Sequence, residues 1–219
     1  MCGRFTLTTP KIETLRELFA ADLDARLPDT YRPRFNIAPG TATVLVTAAA
    51  DRRRLEPGLW GLPGPFEGSN VHINARSETV AGSPAFRDAF ARGRCGVLAD
   101  GFYEWAGARK QRLPLWFHPH SPGPLVLAGI YRDDADAATG EVTRRFAILT
   151  TRANATMAPY HERMPVIVPL PALDRWLRGD PRGLADLLGP AADDLLVATP
   201  VLPRVNDARV DDPECLTPR

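Results

Sequence analysis

The chain has 219 residues, 44% hydrophobic and 24% charged, with a formal net charge of +1. That length holds one substantial domain or two small ones, and the composition is that of a soluble globular protein. No apolar run approaches the ~18 residues of a transmembrane helix, no global basic field announces nucleic acid, and three scattered cysteines without a Cys-x-x-Cys argue against a disulfide framework or a zinc finger.

The N-terminus lacks a charged-then-apolar signal pattern, so the chain is expected to stay in the cytoplasm with its second residue retained. Of the 27 basic residues only Lys11 and Lys110 are lysine. Arginine suits bidentate phosphate contacts and base stacking, although a GC-rich genome also writes arginine, alanine and proline throughout a chain.

Met1-Cys2-Gly3-Arg4-Phe5 begins an extended segment reaching Leu7. If Met1 is removed, Cys2 carries a thiol and a free α-amine on adjacent carbons. Such a 1,2-aminothiol traps aldehydes as a thiazolidine. It can also attack an acyl carbon, with its own amine as base. The bland alternative is an arbitrary cysteine after a start codon. Thr9 as N-cap, Pro10 at the first helical position, and Ile12, Leu15, Leu18 and Phe19 at helical spacing predict a helix to about Ala21. Residues 22–33 read as a polar loop. Tyr31 to Gly40 is a proline-punctuated loop with aromatics and arginines, in which Asn36 serves a bend or a site and Pro39 holds the backbone extended. Thr41 to Thr47 is a β-branched run and predicts a strand, with residues 51–54 at a hairpin tip. Trp60 enters a Gly/Pro loop that continues to Gly68. Its ring either stacks on a base, worth ~1–3 kcal/mol, or packs in the core.

Asn74 and Arg76 alternate with Ile73 and Ala75 and so face the same way. Ser83-Pro84 starts a helix over Phe86, Ala89 and Phe90 that ends at Gly93. Arg94 to Ala99 is a buried strand, with Cys95 as a core thiol. Asp100-Gly101 turns into Phe102-Tyr103-Glu104-Trp105. In a strand Glu104 points away from Tyr103 and Trp105, and apolar walls around a carboxylate raise its pKa towards that of a general acid or base; otherwise it is an edge glutamate in solvent. Leu113 to His118, Leu125 to Arg132 and Arg144 to Thr151 are further strands, separated by segments of turn composition. His161 lies between a proline-bearing loop and the strand Val166 to Val168, an address that suits a catalytic group. His72, His118 and His120 carry no comparable signal. Pro171 to Arg178 and Arg182 to Leu188 read as short helices, Leu195 to Ala198 as a last strand, and residues 211–219, with Cys215, as a disordered tail. The expected fold is a single α+β domain over residues 1–210, a curved, barrel-like, mostly antiparallel sheet flanked by a few short helices. No histidines and cysteines have ligand spacing, so no metal and no cofactor are expected.

Four pieces, taken in order, resemble the SOS response-associated peptidase family: Met1-Cys2-Gly3-Arg4-Phe5, Asn74-Ala75-Arg76-Ser77-Glu78, Asp100 to Trp105, and His161-Glu162-Arg163-Met164-Pro165. Asn36 to Gly40, Trp60-Gly61, Thr150-Thr151 and Val205-Asn206 follow the same pattern, so the resemblance runs to about Asp207. Members of that family crosslink themselves to abasic sites in single-stranded DNA. The resemblance implies that the amine of mature Cys2 condenses with the open-chain aldehyde and that its thiol closes the thiazolidine. Glu104 would orient the amine and shuttle protons. His161 would help open the sugar or assist reversal, and Asn74 would hold the deoxyribose. Arg4 and Arg76 would clamp flanking phosphates, with Trp60, Pro39 and Asn36 completing the DNA contact; the alternative for the two arginines is an ion pair with Glu78 or Glu104.

The implied partner is single-stranded DNA with abasic sites, the replication machinery is a further candidate, and the chain is read as a cytoplasmic monomer that joins the nucleoid when bound to DNA. A peptidase step would act on Met1, unless a methionine aminopeptidase removes it. Two other readings compete. An N-terminal-nucleophile amidohydrolase should carry an Asn-Gly pair for its oxyanion hole, and this chain has no Asn-Gly dipeptide. A non-covalent single-strand module would use only Trp60 and the arginines.

Overall fold

The computed structural model describes residues 2–65, 68, 70–107, 112–121, 123–135 and 139–219. Met1 and parts of the loops read from sequence at 63–68, 106–112 and 133–143 lie outside them. In chain order the strands are β1 (Phe5–Leu7), β2 (Ala21–Leu23), β3 (Arg34–Ile37), β4 (Ala42–Ala49), β5 (Arg52–Trp60), β6 (Leu62–Pro63), β7 (Val71–His72), β8 (Asn74–Arg76), β9 (Arg94–Ala99), β10 (Gly101–Ala106), β11 (Leu113–Pro119), β12 (Leu125–Ala135), β13 (Val142–Arg152), β14 (Arg163–Pro165) and β15 (Leu196–Pro200). The α-helices are short: α1 (Ile12–Phe19), α2 (Leu27–Thr30), α3 (Arg87–Arg92) and α4 (Leu173–Arg178).

Strands β13, β12, β9, β4 and β5 pair in that order, and β5 returns to β13 to close a barrel. Its seams are antiparallel except the closing one, where Phe146 lies opposite Trp60 in parallel register. Closure removes the free edges that an open sheet of β-branched strands would expose. A second, antiparallel sheet runs β15-β11-β10-β1-β3. Aromatic side chains fill the space between the two. The Phe5 ring centroid is 5.0 Å from that of Trp60, and Trp60 lies nearly parallel to Phe146 at 6.3 Å. The expected α+β, barrel-like, mostly antiparallel architecture is therefore the observed one.

Several local readings change. α1 stops at Phe19 because Ala20 turns left-handed, and Ala21 already belongs to β2. Its buried residues Ile12, Leu15 and Phe19 have the predicted spacing. The 22–33 loop contains the end of β2 and the turn of α2. Residues 182–188 form two 3₁₀ turns in place of a helix. Arg94, at the start of β9, is buried, and no carboxylate among the described residues is in salt-bridge contact with it. Its guanidinium donates to the carbonyls of Phe90, Ala91, Trp176 and Gly179, tying together the C-terminal ends of α3 and α4. Those are the carbonyls that a helix leaves without partners.

The largest correction concerns the C-terminus. Residues 211–219 are not a free tail. Asp211 pairs with Arg34 and accepts the backbone N–H groups of Phe35 and Asn36. Val201 bridges Pro218, and Cys215 is fully buried with Tyr103, Val201 and Val205. This small cluster covers the face of the second sheet that points away from the barrel.

Asn36 is the polar node of the same region. Its Nδ2 donates to the carbonyls of Val205 (3.2 Å), Asp207 (3.0 Å) and Val210 (2.7 Å), while its Oδ1 accepts from Arg4 (2.8 Å). Asn36 is 1% exposed, so a strand of DNA has no access to it. It holds the chain's end and has no place in a DNA contact. Asn36→Ala strands several buried acceptors, which at roughly 1 kcal/mol each should cost about 3 kcal/mol. The expected result is a melting temperature about 6–12 °C lower, with residues beyond Asp207 becoming sensitive to carboxypeptidase. An unchanged melting curve contradicts this role.

Candidate functional site

Cys2 lies just ahead of β1, which sits between β10 and the edge strand β3 in the second sheet. The antiparallel pairing of Phe5 with Phe102, continued through the Tyr103 N–H to Arg4 carbonyl bond of 2.9 Å, brings the start of the chain level with Glu104. Alternation along β10 sends Phe102 into the inter-sheet core and Tyr103 into the C-terminal cluster. Glu104 therefore shares the inner side with Phe102. It is 5% exposed, which removes the reading of a solvated edge glutamate.

The Cys2 side chain is fully buried. Burial raises its thiol well above the usual range, and the nearby Glu104 carboxylate raises it further. Its Sγ faces the Arg4 carbonyl at 3.7 Å. Asn74, on β8, donates from Nδ2 to the Cys2 carbonyl at 2.9 Å. The Oδ1 of Asn74 is buried and has no hydrogen-bond partner among the described residues. A buried acceptor without a donor is costly, and this one lies on the amide that already holds Cys2.

His161 arrives from a different direction. β13 and β14 form a hairpin whose connecting turn carries it, and Tyr160 packs edge-on against Phe117 at 5.6 Å, tying that turn to the second sheet. The Nδ1 of His161 accepts the backbone N–H of Arg163 at 2.9 Å. In the neutral ring the proton therefore sits on Nε2, which makes that nitrogen a donor.

Arg4 forms neither of the ion pairs considered for it. It gives Nη1 to Asn36 and to the Val205 carbonyl (2.9 Å), and its Cζ lies 5.9 Å from the Trp105 ring. Partial burial lowers its pKa, but no carboxylate among the described residues is in salt-bridge contact with it. Arg76 is exposed, and Glu78 turns instead to Arg163 in a bidentate pair of 2.7 and 2.9 Å. Pro39 is exposed at the turn before Gly40.

Trp60 is a correction. It is 1% exposed, its indole N–H donates to the Ile73 carbonyl at 2.8 Å, and its faces are covered by Phe5 and Phe146. No face remains for a base, so its role is to support β1 from beneath. Gly61 follows at φ +138°, where a Cβ would strike Val71 at 2.7 Å. That requirement explains the Trp60-Gly61 pair.

Sequence reasoning gave Arg163 no task of its own. Besides Glu78 it binds the carbonyl of Thr150 at 2.6 Å, so it joins β14, β13 and the 77–79 turn. Its position two residues after His161 was the available signal.

A family model described as SOS response associated peptidase (SRAP) matches residues 1–208. The abasic site processing protein YoqW of Bacillus subtilis is 32% identical, with 99% of each chain covered. The abasic site processing protein YedK of Escherichia coli is 29% identical over 84% of this chain and 82% of its own. In structure, a protein from Bacteroides thetaiotaomicron superposes with a TM-score of 0.86 over the whole of both chains at 20% identity, a likeness of fold. With the match extending from Cys2 through the His161 hairpin to the close of the chain, this protein belongs to the SOS response associated peptidase family.

Proposed function

We propose that this protein captures abasic sites in single-stranded DNA through its mature N-terminal Cys2, ending in a thiazolidine. The observation that carries this reading is the enclosure of Cys2: a carbonyl held by Asn74, a buried Glu104 beside it, and an Asn74 Oδ1 with no donor among the described residues. The relatives named as abasic site processing proteins give the substrate class.

Removal of Met1, by the chain itself or by an aminopeptidase, exposes the amine. A free α-amine has a pKa of about 7.7–8.0 and is substantially neutral near physiological pH. The thiol, kept protonated by burial and by Glu104, is the poorer first nucleophile. The amine nitrogen therefore adds to the C1′ aldehyde of the open sugar, and Glu104 moves the proton from nitrogen to oxygen. The carbinolamine loses water to an imine. The Cys2 sulfur then adds to the imine carbon while its proton passes to the nitrogen, closing the five-membered ring. Aldehyde and aminothiol thus give thiazolidine and one water.

His161, with its proton on Nε2, is suited to donate to the sugar oxygen during ring opening or to protonate the ring during reversal. Asn74 Oδ1 accepts a sugar hydroxyl. Arg76 and Arg4 face the flanking phosphates, and exposed Pro39 abuts a neighbouring base.

The test is a denaturing gel of mature protein with a single-stranded oligonucleotide bearing one abasic site. A shifted band that survives SDS is expected, and prior reduction of the sugar aldehyde to an alcohol should remove it. A band that persists after reduction, or no band with intact abasic DNA, rejects the reading.

A further inference from the structure

The face that carries Asn74 continues beyond the site. β8 runs parallel to β13 with Asn74 opposite Ile148 and Arg76 opposite Thr150, and β14 pairs antiparallel to β13 with Arg163 opposite Arg152. Directly opposed residues, and residues two apart along a strand, share a face. Asn74, Arg76, Thr150, Arg152 and Arg163 therefore lie on one side. Their neighbours Ala75, Leu149, Thr151 and Met164 point to the other side and are buried; on the near side Ile148 and Thr150 are buried as well, so its exposed charge lies at Arg76 and Arg152.

The charges on this face are not equivalent. Arg163 is neutralised by its bidentate pair with Glu78 and lies over Thr150. Arg76 and Arg152 are exposed, and neither side chain has an ion pair or hydrogen bond among the described residues. Most other described arginines have a carboxylate: Arg26, Arg34, Arg53, Arg144, Arg175, Arg178, for example. Arg76, which lies near the Glu78 charge, and Arg152 thus place two guanidinium groups without a salt bridge among the described residues on one face, leading away from Cys2.

The spacing gives them an order. Arg152 is four residues past Ile148, the residue level with Asn74, or about 13 Å along the strand. Arg76 is half as far. The diagonal between Arg76 and Arg152 is about 8 Å from Cα to Cα, a span that their long side chains can adjust to successive backbone phosphates.

We propose that Arg152 is a phosphate-binding residue that takes the strand beyond the Arg76 contact, so that the path of the DNA leaves Cys2 along β8 and β13. This rests on the reading of the site as one for abasic single strands. Arg76 holds the phosphate next to the lesion, and Arg152 the one further out on the same side. Because the two lie on one flank only, the contact reads polarity: one side of the lesion is gripped at distance and the other is not. Arg152 acts on affinity and orientation, not on the reacting atoms.

The experiment has two arms. In the first, anisotropy measures binding of an undamaged single strand across a salt series. Arg152→Ala should weaken binding about fivefold at low salt and reduce the slope of log affinity against log salt by about 0.7, the release of one counterion from a single strand. Arg152→Lys should recover most of the slope. Arg182→Ala, which removes the same charge from an exposed arginine paired with Asp180 elsewhere, should leave the slope unchanged. In the second arm, limiting abasic oligonucleotides have either flank cut to one nucleotide. The deficit of Arg152→Ala in crosslinking rate should vanish for one flank and persist for the other.

An Arg152→Ala slope equal to that of wild type, or a deficit that survives trimming of either flank, overturns the assignment while the wild-type crosslink still stands. A wild-type protein that binds the single strand with the Arg152-dependent slope but forms no crosslink instead rejects the chemistry and keeps the contact. Wild-type protein that binds no single strand overturns both.

Discussion

Cys2→Ala, with Met1 removed, is expected to lose the SDS-stable adduct with abasic single strands completely, yet to yield a covalent product again when borohydride is present. The substitution deletes the sulfur and keeps the α-amine. If the amine attacks first, alanine still forms an imine, which water reverses and hydride fixes as a secondary amine. If capture requires the thiol, neither condition gives a product. The native geometry favours the first order, since burial and the Glu104 carboxylate hold the thiol protonated. Gel bands with and without reductant decide it. An alanine variant that crosslinks like wild type without reductant sinks the thiazolidine.

Glu104→Gln is expected to slow adduct formation about 10²–10⁴-fold, the usual range for a positioned proton-transfer group. The side chains match in shape, and Glu104 sits within a regular ladder, opposite Leu115, so the melting temperature should move little. Single-turnover time courses measure the rate. A second readout separates proton transfer from packing. The Glu104 charge is one cause of the raised Cys2 thiol pKa. A like charge disfavours the thiolate, so removing it should shift the pH midpoint of Cys2 alkylation downward. An unchanged rate and an unchanged midpoint remove Glu104 from the chemistry.

Much of this was legible in the chain because the informative features are local. Helical spacing located Ile12, Leu15 and Phe19, and period-two alternation put Asn74 and Arg76 on one face and Glu104 opposite Tyr103. The misreadings share a physical origin in long-range partners. Trp60 precedes glycines and prolines, which looks like a loop, but its burial is decided by β13, whose Phe146 lies opposite it. Asn36 sits in a segment of arginines and aromatics that looks like a binding loop, but its acceptors lie about 170 residues away. The residues after Asp207 have no apolar periodicity. Their order comes from Asp211 reaching Arg34 and from one buried cysteine, neither of which a local window can reveal. Arg152, next to the Thr150-Thr151 step, carries no signal in the sequence, because a surface arginine acquires meaning only from which strands flank it.

The bond from Arg4 to the carbonyl of Val205 spans 201 positions. During synthesis the first of these residues leaves the ribosome early and the second very late. At about 5–20 residues per second the interval is roughly 10–40 s. Throughout it Arg4 lacks this acceptor, so the anchor two residues from Cys2 is completed after Asn74 and β10, its other supports, have been made. An aminothiol tethered to an unfinished chain would react with any cellular aldehyde. On the proposed chemistry, a chain cut short before Val205 should carry its N-terminal cysteine on a first strand that lacks the Arg4 anchor.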